Sequence, residues 1–238
     1  MLKMIPAACK AAFPHTIPVL TGFFFLGAAY GILMSSSGYS WFWVLLMSIF
    51  VFAGALQFVG IHLLTSAFDP LNAFLIALAI NARHLFYGIS MLEKYSGTGY
   101  VKPYLIFGMC DETFSILHGT KPPPHIDKKA FMLAVTLLNQ AYWIIGGIIG
   151  GVIEPFIIFD LRGLDFVMTA FFVVIFINQW KERKNHLSAL IGLSVAAVSL
   201  FIFGAERFII PAMILIVICL TIFQKRVSDH KNMKGVDD

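Results

Sequence analysis

Apolar residues run through this chain in long blocks, and short polar stretches separate them. Eight blocks stand out: 15–35, 41–66, 70–92, 103–118, 130–153, 163–180, 186–204 and 207–224. A helix needs roughly 20 apolar residues to cross a hydrocarbon core of about 30 Å, and most blocks have that length. They are apolar on every face, whereas barrel strands alternate apolar and polar over about ten residues. The pattern predicts an all-α integral membrane protein, a polytopic bundle of seven or eight transmembrane helices. The number turns on 103–118, whose 16 residues give about 24 Å of helix. That is short enough for the block to tilt or to re-enter on one side.

Several blocks carry helix-weakening residues. The first, HTIPVLTGFFFLGAAYGILM, holds Pro18, Gly22, Gly27 and Gly31. One reading is a kinked packing helix with Gly27-x-x-x-Gly31 as a small-residue contact. The other is a broken helix whose exposed ends bind ligand charge, as in many secondary transporters. Block 130–153 holds Gly146, Gly147, Gly150 and Gly151, two overlapping GxxxG registers that let another helix approach closely. The run 50–81 pairs a Gln-bearing helix with one ending in Asn, and 138–178 repeats that outline. In an eight-span arrangement the two runs have opposite directions, the sign of an inverted repeat. The expected organisation is a single transmembrane domain over 1–238, with repeat halves of about 13–118 and 130–224 and a short cytoplasmic tail at 225–238.

Composition narrows the class further. Of 238 residues 59% are hydrophobic, only 30 carry charge (17 basic and 13 acidic), and the mean hydropathy is +0.84. Soluble domains run about 45–50% apolar and about 25% charged, so a soluble globule and a disordered chain are both excluded. Cys9, Cys110 and Cys219 are dispersed, without the spacing of a disulfide framework or a metal site. No metal, cofactor or nucleic acid is expected, and the surrounding partner is membrane lipid.

Charge placement gives an orientation. With eight spans and the N-terminus inside, the cytoplasmic side holds Lys3, Lys10, Lys121, Lys128, Lys129, Lys181, Arg183, Lys184, Lys225, Arg226, Lys231 and Lys234. The outside then holds Lys94, Lys102, Arg162 and Arg207, twelve against four, as the positive-inside rule asks. A seven-span chain with 103–118 re-entrant and the N-terminus outside scores the same, since Lys94 and Lys102 replace Lys3 and Lys10. Both versions put the C-terminus in the cytoplasm. The N-terminal block is too long for a cleaved signal, and Pro14 and Pro18 interrupt it. The loops are too short for a soluble catalytic or nucleotide-binding domain, so the function resides in the bilayer.

The polar residues at membrane depth are the candidate chemistry. Arg83 lies about 3 Å along the axis from the centre of 70–92, where a basic residue costs on the order of 2.5–3.5 kcal/mol and faces a bundle interior. On a helix, Asn81, His84 and Gly88 share one face, and Arg83 and Tyr87 are i,i+4 neighbours on the next. Asp111 and Glu112 lie mid-way along 103–118. Two adjacent carboxylates in a dry setting do not both stay charged unless a cation joins them. Apart from Arg207 at the very edge of the last block, Arg83 is the only Lys or Arg inside any block, and it is their natural partner. Gln57 after Gly54, Asn139-Gln140 and Asn178-Gln179 are amides of the kind that join membrane helices. No GxxxxGK[ST], HExxH, GxSxG or TVGYG string occurs, which argues against P-loop hydrolysis, the common intramembrane hydrolases and a potassium filter.

The strings FAGALQF (52–58), INARHLFYGIS (80–90) and CDETFSI (110–116) resemble the azaleucine-resistance, AzlC-type family, the large subunit of branched-chain amino-acid permeases. PVLTGFFFLGAAYGIL and LDFVMTAFFVVIFINQW fit the same pattern, over about residues 13–222. The resemblance implies an exporter of Leu, Ile, Val and related small neutral amino acids. It also implies a small AzlD-type membrane subunit as partner and the cytoplasmic membrane of a prokaryote as location. It carries over no residue-level mechanism. On physical grounds a zwitterion needs a cation or helix N-terminus for its carboxylate and an anion for its ammonium. Arg83, or broken helix ends near Gly22 and Gly54, suit the first role. Asp111 or Glu112 suit the second or carry a coupling proton, and the His84 imidazole suits a relay. The expectation is a non-enzymatic, ion- or proton-coupled secondary exporter. A pore with Arg83 as its selective charge, and an assembly subunit with purely structural polar residues, remain the other readings.

Overall fold

The computed structural model describes residues 5–67, 69–81, 83–157, 163, 166, 169–170, 173, 176–177, 180, 186–204 and 208–222. Asn178, Gln179 and most of block 163–180 lie outside them. All regular structure among the described residues is helical. The chain forms two compact units, 1–168 and 169–238.

The first unit is organised by two long helices, α1 (Ile5–Ser36) and α8 (Lys128–Ile153). Among the described residues, this pair is long and apolar enough for each helix to cross a bilayer alone. They pack side by side and run parallel, because contacts advance along both together. His15 meets Phe131 with ring centroids 6.1 Å apart, Phe23 meets Trp143 at 5.4 Å, and the Ser35 hydroxyl donates to the Gly151 carbonyl at 3.2 Å. The glycines make this approach possible. A Cβ on Gly27 would lie 2.8 Å from the Trp143 carbonyl oxygen, and one on Gly31 or Gly150 would overlap the backbone of Gly147 or Ala28. Both glycine motifs thus meet within one interface, the close-packing role of small residues. The helix end expected at Gly22 does not exist: α1 runs unbroken past Pro14, Pro18 and Gly22. Its packing on α8 holds it straight, and Thr16 and Thr21 hydroxyls donate to the carbonyls of Phe13 and Pro18 at 3.0 and 2.9 Å.

The breaks fall elsewhere. Block 41–66, expected as one helix, is two: α2 (Trp41–Phe50) and α3 (Gly54–Thr65), separated by 51–53. They fold back as a hairpin. The Gln57 amide donates to the Met47 carbonyl at 2.7 Å, and the Tyr39 hydroxyl before α2 donates to the Leu64 carbonyl at the end of α3 at 3.1 Å. Helices α4 (Pro70–Asn81) and α5 (Arg83–Met91) follow. Block 103–118 is broken as well, into α6 (Lys102–Phe107) and α7 (Asp111–Gly119) around 108–110. It also turns back, for Lys94, ahead of α6, donates to the Leu117 and His118 carbonyls at the end of α7 at 2.6 and 2.8 Å. Burial, then the neighbouring Lys128 and Lys121, hold the Lys94 ammonium below its ordinary pKa.

The hairpins approach from opposite ends of the unit. At one end Ala8, Ala12, Met91, Tyr95, Val101, Leu117 and Phe131 form a common core. This end therefore gathers the start of α1, the end of α5, both ends of the second hairpin and the start of α8. The first hairpin opens at the other end, where α1 finishes. Six of the seven described Lys and Arg residues of this unit, Lys10, Lys94, Lys102, Lys121, Lys128 and Lys129, lie at the first end, and the seventh is Arg83. In the second unit α9 (His186–Phe203) packs on α10 (Ile209–Ile222), with Gly204 at φ +74 in the turn between them.

Candidate functional site

Both hairpin tips end beside the middle of α8. That helix is about 39 Å long, and its midpoint falls at Gln140-Ala141, next to Asn139. Gln140 bonds both hairpins: its amide donates to the Ile49 carbonyl of α2 at 3.3 Å, and its carbonyl accepts from the Tyr104 hydroxyl of α6 at 2.5 Å. The neighbouring Asn139 amide donates to the Thr113 hydroxyl of α7 at 2.9 Å. One turn on, the Trp143 indole donates to the Gln57 carbonyl of α3 at 2.6 Å. A side chain at Gly108 would overlap the Thr136 methyl, so glycine lets the second tip close on α8.

Each tip presents the N-terminus of a half-helix. The first N–H groups of a helix have no intrahelical partner, and neither Ala53 before α3 nor Cys110 before α7 supplies a side-chain cap. Gly54 opens α3, and Asp111 and Glu112 open α7. Carboxylates at that position meet the positive end of the helix dipole.

The charged centre joins α5 to α7. Arg83 Nη1 donates to Asp111 Oδ2 at 2.5 Å, and the Tyr87 hydroxyl donates to Oδ1 of the same carboxylate at 2.9 Å. The i,i+4 pair read from the sequence therefore converges on one acidic group. Tyr87 stacks on Phe114 with centroids 4.6 Å apart, and Phe114 stacks on His118 at 5.3 Å. His84 meets Tyr87 edge-on at 5.7 Å and bonds the Asn81 carbonyl through Nδ1 at 3.1 Å. Glu112 stands beside Asp111 in the first turn of α7. The Cys110 sulfur, just before that turn, lies 3.1 Å from the Thr113 hydroxyl.

The structure thus groups Asn81, Arg83, His84, Tyr87, Asp111 and Glu112 around one half-helix end. Gln57 and Gly54 belong to the other hairpin, and Gly22 lies within the unbroken α1, next to Phe23, whose ring meets Phe52 of the first tip at 6.4 Å. Tyr104 is not legible in the sequence, since a lone hydroxyl in an apolar helix carries no spacing signal. Among the described residues no three His, Cys, Asp or Glu side chains are placed to hold a metal ion.

A family model described as AzlC protein matches residues 18–157. The chain is 54% identical over 223 residues to the branched-chain amino acid transport protein AzlC of Bacillus subtilis (strain 168), covering 94% of this chain and 88% of that one. It is 43% identical over 218 residues to a membrane protein of Haemophilus influenzae, covering 91% and 89%. A membrane protein of Helicobacter pylori (strain J99) is 39% identical over 221 residues, covering 93% and 97%. No solved structure matches. The chain is an all-helical membrane protein and belongs to the AzlC family.

Proposed function

We propose that this protein is a secondary transporter that exports branched-chain and related small neutral amino acids across the cytoplasmic membrane of a prokaryote, driven by a coupled ion and working with a small AzlD-type membrane subunit. The single observation that carries the reading is the Arg83–Asp111–Tyr87 centre at the uncapped end of α7. A zwitterionic amino acid carries the same two charges as the Arg83–Asp111 pair, so it can exchange into it. Its carboxylate then replaces Asp111 on Arg83 or meets the open N–H groups near Gly54, and its ammonium meets Asp111 or Glu112. The side chain lies against Tyr87, Phe114 and His84, an apolar wall suited to Leu, Ile or Val. Unwound backbone beside half-helices is the usual geometry of such sites. The relative named as a branched-chain amino acid transport protein supports the substrate class.

The topology that fits has α1, α4–α5 and α8 crossing the bilayer and two re-entrant hairpins entering from opposite sides. The lengths agree. At 1.5 Å per residue α2 and α3 reach about 15 and 18 Å and α6 and α7 about 9 and 14 Å, half of a hydrocarbon core or less. With 163–180, 186–204 and 207–224 as further spans, both termini are cytoplasmic. Of the 17 basic residues only Arg162 and Arg207 then lie outside, Arg83 lies within, and the other 14 lie inside. That asymmetry exceeds the twelve-to-four of the simpler threadings. The two hairpins take the place of two of the crossings of an eight-span bundle. A pore with Arg83 as bare selective charge fits less well, because Asp111 neutralises it at 2.5 Å.

Cells preloaded with labelled leucine test the reading. Expression of this chain with its partner subunit is expected to speed efflux, and an uncoupler or ionophore that collapses the driving gradient to abolish the gain. Unchanged leucine efflux, with the protein present in the membrane, would overturn it.

A further inference from the structure

The centre holds two carboxyl groups and one guanidinium. Asp111 and Glu112 occupy adjacent positions of one half-helix, opposite the single Arg83. The Arg83 bond goes to Asp111, backed by the Tyr87 hydroxyl, so Glu112 is the carboxylate left over. Next to it in the chain, the Thr113 hydroxyl lies 3.1 Å from the Cys110 sulfur and accepts from the Asn139 amide nitrogen at 2.9 Å. At the end of these bonds is an acceptor with nothing to accept. Asn139 is 0% exposed, and its Oδ1 is buried without a hydrogen-bond partner. Covalent geometry puts that oxygen about 2.3 Å from its own amide nitrogen, hence within about 5 Å of the Thr113 hydroxyl. A buried, unsatisfied carbonyl costs about 1–3 kcal/mol. An orphan acceptor near a carboxyl group that the Arg83 ion pair does not include is satisfied by a single positively charged ligand that offers donors or takes oxygen ligands.

We infer that Glu112, Thr113 and Asn139 form a subsite for one monovalent cationic group, separate from the Arg83–Asp111 bond. The inference rests on the reading of this centre as a transport site and identifies where its cation sits. Two sources share the chemistry, a sodium ion as coupling ion and the ammonium of the amino acid itself. Carboxylate, amide and hydroxyl oxygens are hard ligands suited to either. The other groups facing Glu112 are Asp111 and Cys110 from its own turn and Arg83 and Tyr87 from α5. From α8, the Asn139 side chain is neutral.

Thermal melting of the purified complex tests this, with sodium chloride against choline chloride at equal ionic strength, and with leucine against its 2-hydroxy analogue, which lacks the ammonium. Wild type is expected to melt higher in sodium, or with leucine but not with the hydroxy acid. The first result assigns the site to the ion and the second to the substrate. Glu112→Gln and Asn139→Leu should each raise the half-maximal concentration of the effective ligand at least tenfold, whereas Asn139→Asp, which adds an anionic oxygen, should keep or lower it. The subsite is refuted if neither ligand shifts wild-type melting, or if Glu112→Gln and Asn139→Leu respond as wild type does. Leucine efflux that persists at the wild-type rate in both variants would remove the subsite and leave the exporter reading intact, whereas no efflux from wild type removes the exporter reading itself. Should a variant fail to fold, the wild-type comparison and Asn139→Asp carry the test.

Discussion

Replacing Arg83 by Met separates a structural ion pair from a transport site. The substitution keeps most of the side-chain volume and removes the guanidinium, so Asp111 loses its ion-pair partner with Glu112 beside it. Breaking a fully buried pair from one side costs about 3–5 kcal/mol. Here 35% of the Arg83 and 28% of the Asp111 side-chain surface is accessible, so the lower range for one charged hydrogen bond applies, about 2 kcal/mol. For a chain of this length that lowers the melting temperature by roughly 4–8 °C. Asp111→Asn acts more gently, because the Tyr87 hydroxyl keeps an acceptor. The double variant Arg83→Met/Asp111→Asn restores the wild-type net charge. It is expected to recover part of the stability lost in Arg83→Met, a coupling of about 1–2 kcal/mol between contacting residues. Tryptophan fluorescence on heating gives the melting temperatures, and leucine efflux per folded molecule gives the activity. Efflux should fall at least tenfold in both single variants and stay low in the double variant. A double variant that recovers activity along with stability would show the pair to be structural only, and an Arg83→Met protein that melts with wild type would refute the reasoning about the pair.

Other perturbations probe the frame around this centre. Gly150→Ala and Gly31→Ala force the α1 and α8 backbones apart and should each cost about 1–3 kcal/mol, whereas Gly22→Ala, with open space around it, should be neutral or stabilise by up to about 1 kcal/mol; melting temperatures decide. With the native cysteines replaced, Ser96→Cys and His125→Cys should react with an impermeant maleimide from the same side of the membrane, opposite to Ser66→Cys; labelling of 96 and 125 from opposite sides would show that α6 and α7 cross. Tyr104→Phe removes the hydroxyl that satisfies the Gln140 carbonyl and Gln140→Leu leaves the Ile49 carbonyl unpaired. Each should cost about 1–3 kcal/mol, read as earlier melting, and slow efflux without changing the preference for leucine over alanine.

Much of this arrangement is legible in the sequence where its cause is local. The apolar blocks follow from composition. The convergence of Arg83 and Tyr87 on Asp111 follows from i,i+4 spacing and from the absence of any other cation at depth. The two glycine motifs announce a close helix contact, although only the structure shows that they meet each other. What local pattern does not carry is the fold-back. Block 41–66 is long enough to cross and has no proline at its break. It turns at 51–53 because Gln57 reaches Met47 and Trp143, contacts 10 and 86 positions apart. Conversely, Pro14 and Pro18 signal a break that α8 suppresses by packing along the full helix. Asn139 and Gln140 read as generic helix-joining amides, and their position at both hairpin tips emerges only when α8 is set between them.

Leucine efflux from proteoliposomes containing purified chain and partner subunit tests the proposed transport site most directly. Wild type should release leucine, isoleucine and valine in a saturable, gradient-dependent manner, and Arg83→Met at matched folded protein should release them at least tenfold more slowly. Non-saturating release without preference for branched side chains, or an Arg83→Met rate equal to wild type, would contradict it.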